Sequence, residues 1–101
     1  MGIEGMALWA CIGTSEHLLY KDVEDGRLVY DRSDGETRLL SHLSQFLVEW
    51  ITAQGRAAST AELVRAVHAE EPEASVQECL AAVETALAAL TEAGLLQQVD
   101  R

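Results

Sequence analysis

Between residues 18 and 40 apolar and polar side chains alternate with a period of two, and beyond Ser41 the period lengthens to that of a helix. Leu18, Tyr20 and Asp22 alternate with Leu19, Lys21 and Val23, while Leu28 and Tyr30 oppose Val29 and Asp31. Thr37 and Leu39 then alternate with Glu36, Arg38 and Leu40. Such alternation predicts half-buried strands with one apolar and one wet face. The three runs, 18–23, 27–32 and 36–40, are punctuated by Asp25-Gly26 and Asp34-Gly35. Asp-Gly between strand-like runs predicts a tight I′ hairpin, with φ > 0 at both central positions. The segment therefore reads as a three-stranded antiparallel meander whose last strand is an edge.

The helical part is divided by its caps. Ser41 is a good N-cap, and Leu43, Phe46, Leu47, Trp50 and Ile51 give the first helix one broad apolar face before Gly55 ends it. Ser59 with Glu62, and Ser75 with Glu78, have capping-box spacing and open two further helices. Leu63, Val64 and Val67 are the core side of the second, which Pro72 closes. The third runs to about Ala93, with Gly94 at the C′ position and a short apolar strand or tail over 95–99. It carries two stripes. Val76, Leu80, Val83, Leu87 and Leu90 form a large-residue seam expected in the core. Cys79, Ala82, Ala86, Ala89 and Ala93 form a small-residue seam rotated by roughly 100°. The small seam is either alanine used as a helix former or the floor of a groove beside the sheet edge. The fold class expected is α+β and winged-helix-like: a three-stranded antiparallel meander, three helices and a short C-terminal strand. Residues 1–16 read as an N-terminal arm or extra strand ending in a linker over 13–16, and 17–101 as a single domain.

Charge narrows the function. Seventeen acidic against seven basic side chains leave a net charge of −10, which repels phosphate backbones and anionic membranes. No Lys or Arg occurs from Pro72 through Val99, so a third helix bearing Glu78, Glu84 and Glu92 lacks the cations that DNA affinity requires. Neither nucleic acid nor membrane is expected as a partner. Cys11 and Cys79 lack ligand spacing and read as free buried thiols. The apolar run 6–12 is too short to span a bilayer, and Glu4 precedes it where a signal peptide carries basic residues. A cytoplasmic location is the expectation. His17, His42 and His68 fall on three elements without partners at metal-ligand spacing, and no nucleophile, base and orienter come together. No metal, cofactor or catalysis is expected.

Several runs carry a resemblance. Leu28-Val29-Tyr30-Asp31, then Gly35-Glu36-Thr37-Arg38-Leu39-Leu40-Ser41 followed by 43–51, are similar to the PqqD-like family. So are Glu62-Leu63 on the second helix and Leu90-Thr91-Glu92-Ala93-Gly94-Leu95-Leu96 at the end. These are peptide chaperones, or precursor-peptide recognition elements, of ribosomal natural-product (RiPP) pathways. The branch resembled is the one found beside kinases related to the HPr kinase. The similarity covers roughly residues 17–99. It departs where many members carry Asp-Gly after the first helix, since this chain has Gln54-Gly55.

The resemblance implies a non-catalytic module that binds the leader of a precursor peptide as a strand added to the meander's third strand, in the cleft against the third helix. The peptide-binding residues it implies are Glu36, Thr37, Arg38, Leu39 and Leu40 on the strand, with Cys79, Leu80, Val83, Glu84 and Leu87 on the helix. The partners it implies are the leader peptide and a modifying enzyme encoded nearby. Strand addition draws affinity from backbone hydrogen bonds and selectivity from side-chain pockets. Arg38 has two readings, pairing with an acidic leader residue or with Asp31 or Glu36 on the sheet. The rival function is a structural or assembly subunit that uses the same edge to pair with a partner enzyme or with itself as a homodimer.

Overall fold

The computed structural model of the chain describes residues 7–12, 18–32 and 35–99. The element order is β1 (Leu8–Cys11), β2 (Leu18–Val23), β3 (Gly26–Asp31), β4 (Glu36–Leu40), α1 (His42–Gln54), β5 (Ala58–Ser59), α2 (Thr60–Glu70), α3 (Val76–Glu92) and β6 (Leu96–Val99). Two antiparallel sheets, ordered β2-β3-β4 and β5-β1-β6, flank the helices. The α+β, winged-helix-like order expected from the pattern is present.

In the meander, register places Tyr20, Val29 and Arg38 side by side on one face, with Lys21, Leu28 and Leu39 on the other. The inward face buries Val29 and Leu40 in the core. The outward face is exposed to water as alternation suggested, but it is not polar, because Leu19, Tyr30 and Leu39 lie on it. The first hairpin also departs from expectation. Val23 pairs with Gly26, so the loop residues are Glu24 and Asp25, and no described non-glycine residue has positive φ. The turn is therefore not type I′. Gly26 instead opens β3 at φ 145°, where a Cβ would overlap the carbonyl oxygen of Leu40. The glycine serves close strand approach, not turn chirality. At the second hairpin Gly35 adopts φ 74° and its N–H donates to Asp31 O at 2.7 Å. Asp34 lies outside the described residues.

The caps hold the helices as their sequence motifs predict. Ser41 Oγ accepts from Ser44 N at 3.1 Å, and Gly55 terminates α1 in the left-handed region. Both capping boxes close: Ser59 with Glu62 and Ser75 with Glu78 satisfy each other's backbone donors. Glu62 is held further by Arg56, 2.6 Å away. That guanidinium, together with the backbone N–H of Ser59, pulls the Glu62 carboxyl down to about 2. On α3 the core face lies between the two stripes, on Cys79, Val83, Ala86, Leu87 and Leu90. The expectation that the whole large-residue seam is core is thus corrected. Val76 and Leu80 are 57% and 37% exposed, because the first turns of α3 open onto a cleft beside Val64 and Arg65 of α2.

The second sheet joins the two ends of the described chain. β1 lies between β5 and β6, pairing Leu8 with Ser59 on one side and with Val99 on the other. Trp9 Nε1 donates to Thr60 Oγ1 at 2.9 Å, and Thr60 N donates to Ala7 O. β1 thereby fastens the start of α2. Cys11 is half-buried beside Val48 O, Cys79 is buried, and both are free thiols. Among the described residues no helix is long and apolar enough to cross a membrane.

Candidate functional site

β4 pairs only with β3 among the described strands, so its second edge faces outward from the sheet. Below that edge two contiguous hollows of about 540 and 420 Å³ share Ser41, Ser44 and Ala89. The larger runs from Glu36, Arg38 and Leu40 of β4 to Ala89, Glu92 and Ala93 of α3. The smaller continues along Ala81, Ala82, Thr85 and Ala86 towards Leu43 of α1. Together they form one groove between a strand edge and a helix.

Local sequence builds each wall. Ser41 ends β4 and caps α1, so strand and helix meet at a fixed angle at the groove's centre. Ser41 Oγ both accepts from Ser44 N and donates to Ser44 Oγ at 3.2 Å, which satisfies the polar floor internally. On the far wall alanines recur at helical spacing, and their small side chains keep the groove open. Arg38 lies 3.9 Å from Glu36, so the sheet-pairing reading of this arginine describes the geometry present. Arg27 ties the opposite corner of the meander to α1, contacting Asp22 at 2.7 Å and Glu49 at 3.5 Å.

The expected site residues fall into three places. Four of the five on β4 border the groove: Glu36, Arg38 and Leu40 lie on the face turned towards it, whereas Leu39 meets it at the strand while belonging by register to the opposite face, and Thr37 stands exposed. Cys79, Val83 and Leu87 are buried in the core with no groove surface. Leu80 and Glu84 open on the other side of α3, into a cleft of about 620 Å³ shared with Thr60, Ala61, Val64, Arg65 and Val76 of the α2–α3 pair. The helix wall that faces β4 is the small-residue seam, Ala82, Ala86, Ala89 and Ala93. The signal that finds it is size, not hydrophobicity, because a groove floor needs small side chains where a core needs large ones. Ser44, only 4% exposed, was also missed, since a serine inside a helix does not read as buried.

Little in the groove is arranged for covalent chemistry. Its polar groups are the cap serines, Thr85, one arginine and two carboxylates, and among the described residues no three His, Cys, Asp or Glu gather as metal ligands. His42 follows Ser41 at the start of α1 but lines neither hollow, its Nε2 standing 3.1 Å from Glu24 O.

No model of a known protein family matches this chain, and no curated protein does. Among solved structures the chain is similar to a lasso peptide synthetase B1, solved in complex with the leader peptide. The TM-score is 0.63 at 15% identity, covering 88% of this chain and 96% of that one. The two proteins share a fold.

Proposed function

We propose that this chain is a non-catalytic recognition module for the leader of a ribosomally made precursor peptide, allied to the PqqD-like family. The leader adds as a strand to β4, above the alanine wall of α3, and the module presents the rest of the precursor to a modifying enzyme. The observation that carries this reading is the outer edge of β4, which no other described strand pairs with, standing over a groove floored by Ala82, Ala86 and Ala89. The peptide complex of the structural neighbour supports the same reading. Backbone hydrogen bonds to the strand edge supply affinity that depends little on peptide sequence, and the groove selects side chains.

Two kinds of variant test it, using the leader of a short peptide encoded beside the gene and the fluorescence of Trp9 and Trp50. Ala89 is exposed on the groove wall, so Ala89→Phe fills the groove without entering the core. It is expected to weaken binding at least tenfold while leaving the melting temperature unchanged. Along a strand successive N–H groups point to opposite sides, so one of Arg38 and Leu39 donates outward. Of Arg38→Pro and Leu39→Pro, the variant that keeps a cooperative melt is expected to lose binding. Unchanged binding in both folded variants overturns the proposal.

The rival reading, self-pairing of the same edge, also has an observation in its favour. An antiparallel pairing of two β4 strands centred on Thr37 sets Glu36 of each copy opposite Arg38 of the other. Light scattering distinguishes the two. A dimer that persists with leader bound favours assembly, and a monomer or a dimer dissolved by leader favours recognition. Deleting residues 1–16 is a poor probe of either, since it removes β1 and the Trp9 anchor.

A further inference from the structure

We propose that the bound peptide is read on both faces of the sheet, with Leu39 selecting an apolar side chain at an outward-facing peptide position outside the groove. This rests on the strand-addition reading above, because only an added strand sends alternate side chains to opposite faces. Register sorts the meander sharply. Asp22, Asp31 and Glu36 all fall on the inward face with Val29. The outward face carries Leu19, Lys21, Leu28, Tyr30, Thr37 and Leu39, and no carboxylate, in a chain with 17 acidic residues.

The apolar surface on that face reaches the edge. Leu39 is 55% exposed, more than Leu19, Tyr20 or Tyr30 of the same sheet. It ends a cross-strand row in which Leu28 lies beside it and Lys21 beyond. Natural sheets blunt their edges with charged side chains, lysine above all. Here the two outward positions of the edge strand are Thr37 and Leu39, and its charges, Glu36 and Arg38, point the other way. A peptide strand on β4 brings its outward side chains to a Cβ separation of about 4.5–5.5 Å from Thr37 and Leu39. Beside Leu39 the incoming side chain packs on an apolar row backed by Leu28. A β-branched or aromatic residue fits there, and a charged one loses water without a partner. The recognition sequence is then two interleaved sets, one in the groove and one, offset by a single residue, on the open face.

Selection from a random dodecapeptide display library tests this with the full chain and its Leu39→Lys and Ala89→Phe variants. Melting curves establish that each is folded. The unaltered chain is expected to enrich groove residues at alternate positions and an apolar residue at one intervening position. Leu39→Lys is expected to turn that position to Asp or Glu and leave the groove preference alone. Replacing the intervening residue by Ser in a consensus peptide is expected to weaken binding about two- to fivefold. Groove preference without an intervening preference, or one that Leu39→Lys leaves unmoved, overturns the two-face inference alone. Failure of the folded chain to enrich any peptide, or selection insensitive to Ala89→Phe, overturns the strand-addition reading itself.

Discussion

Single residues set three constraints in this chain. Gly26 is the sharpest, since its missing Cβ leaves room for the Leu40 carbonyl where β3 meets the end of β4. Gly26→Ala adds a methyl group to that contact and forces the residue from φ 145°. The expected cost is about 2 kcal/mol, read as a lower denaturation midpoint with unchanged slope. Glu62 joins two devices, the α2 capping box and the pair with Arg56. Its folded-state carboxyl, near 2, lies below the ordinary value of 4.5. A depressed carboxyl stabilises fully above its unfolded value and loses that contribution as pH falls through the folded one. Stability is therefore expected to fall between about pH 5 and pH 2. Glu62→Gln, which keeps the shape but not the charge, should flatten the fall in thermal melts taken across that range. Trp9 is the third. Trp9→Phe removes the bond to Thr60 Oγ1, itself buried, and is expected to cost about 1–2 kcal/mol in chemical denaturation.

Elements were legible in the sequence to different degrees, and the reason was locality. The three caps Ser41, Ser59 and Ser75 act within four residues, so α1, α2 and α3 begin where the motifs place them. The meander strands announce themselves by alternation and by nearby glycines. β5 is two residues long and has no period to detect. The pairing of Leu8 with Val99 joins distant segments, and nothing in either strand names the other. The turn at Gly26 was misread because a glycine after Asp has two uses, positive φ in a turn and close backbone approach, and only tertiary contact separates them. The groove was half visible. Its strand side followed from alternation, whereas the rotation of α3 depends on how Cys79 and Ala86 pack beside Val83 and Leu87. A helix with two candidate faces does not declare which one a sheet edge overlooks. Because those buried residues hold α3 in place, Leu87→Ala is expected to destabilise by about 2–5 kcal/mol, readable by equilibrium unfolding. In folded protein at low temperature the same variant should still bind peptide.

At the scale of the whole molecule, charge and surface pull apart. The net charge of −10 is a self-repelling field, so the melting temperature is expected to rise by a few degrees as sodium chloride is added from low ionic strength. The strand addition proposed above, which draws on backbone bonds and apolar contacts, should respond weakly over the same titration. The pairing of β1 with β6 has another outcome. Leu8 lies directly opposite Val99, a separation of about 5 Å between neighbouring antiparallel strands. The described polypeptide thus enters and leaves at almost one point. A unit with that geometry can be spliced into a surface loop of another protein without spreading the host's ends apart, and so travel as a cassette.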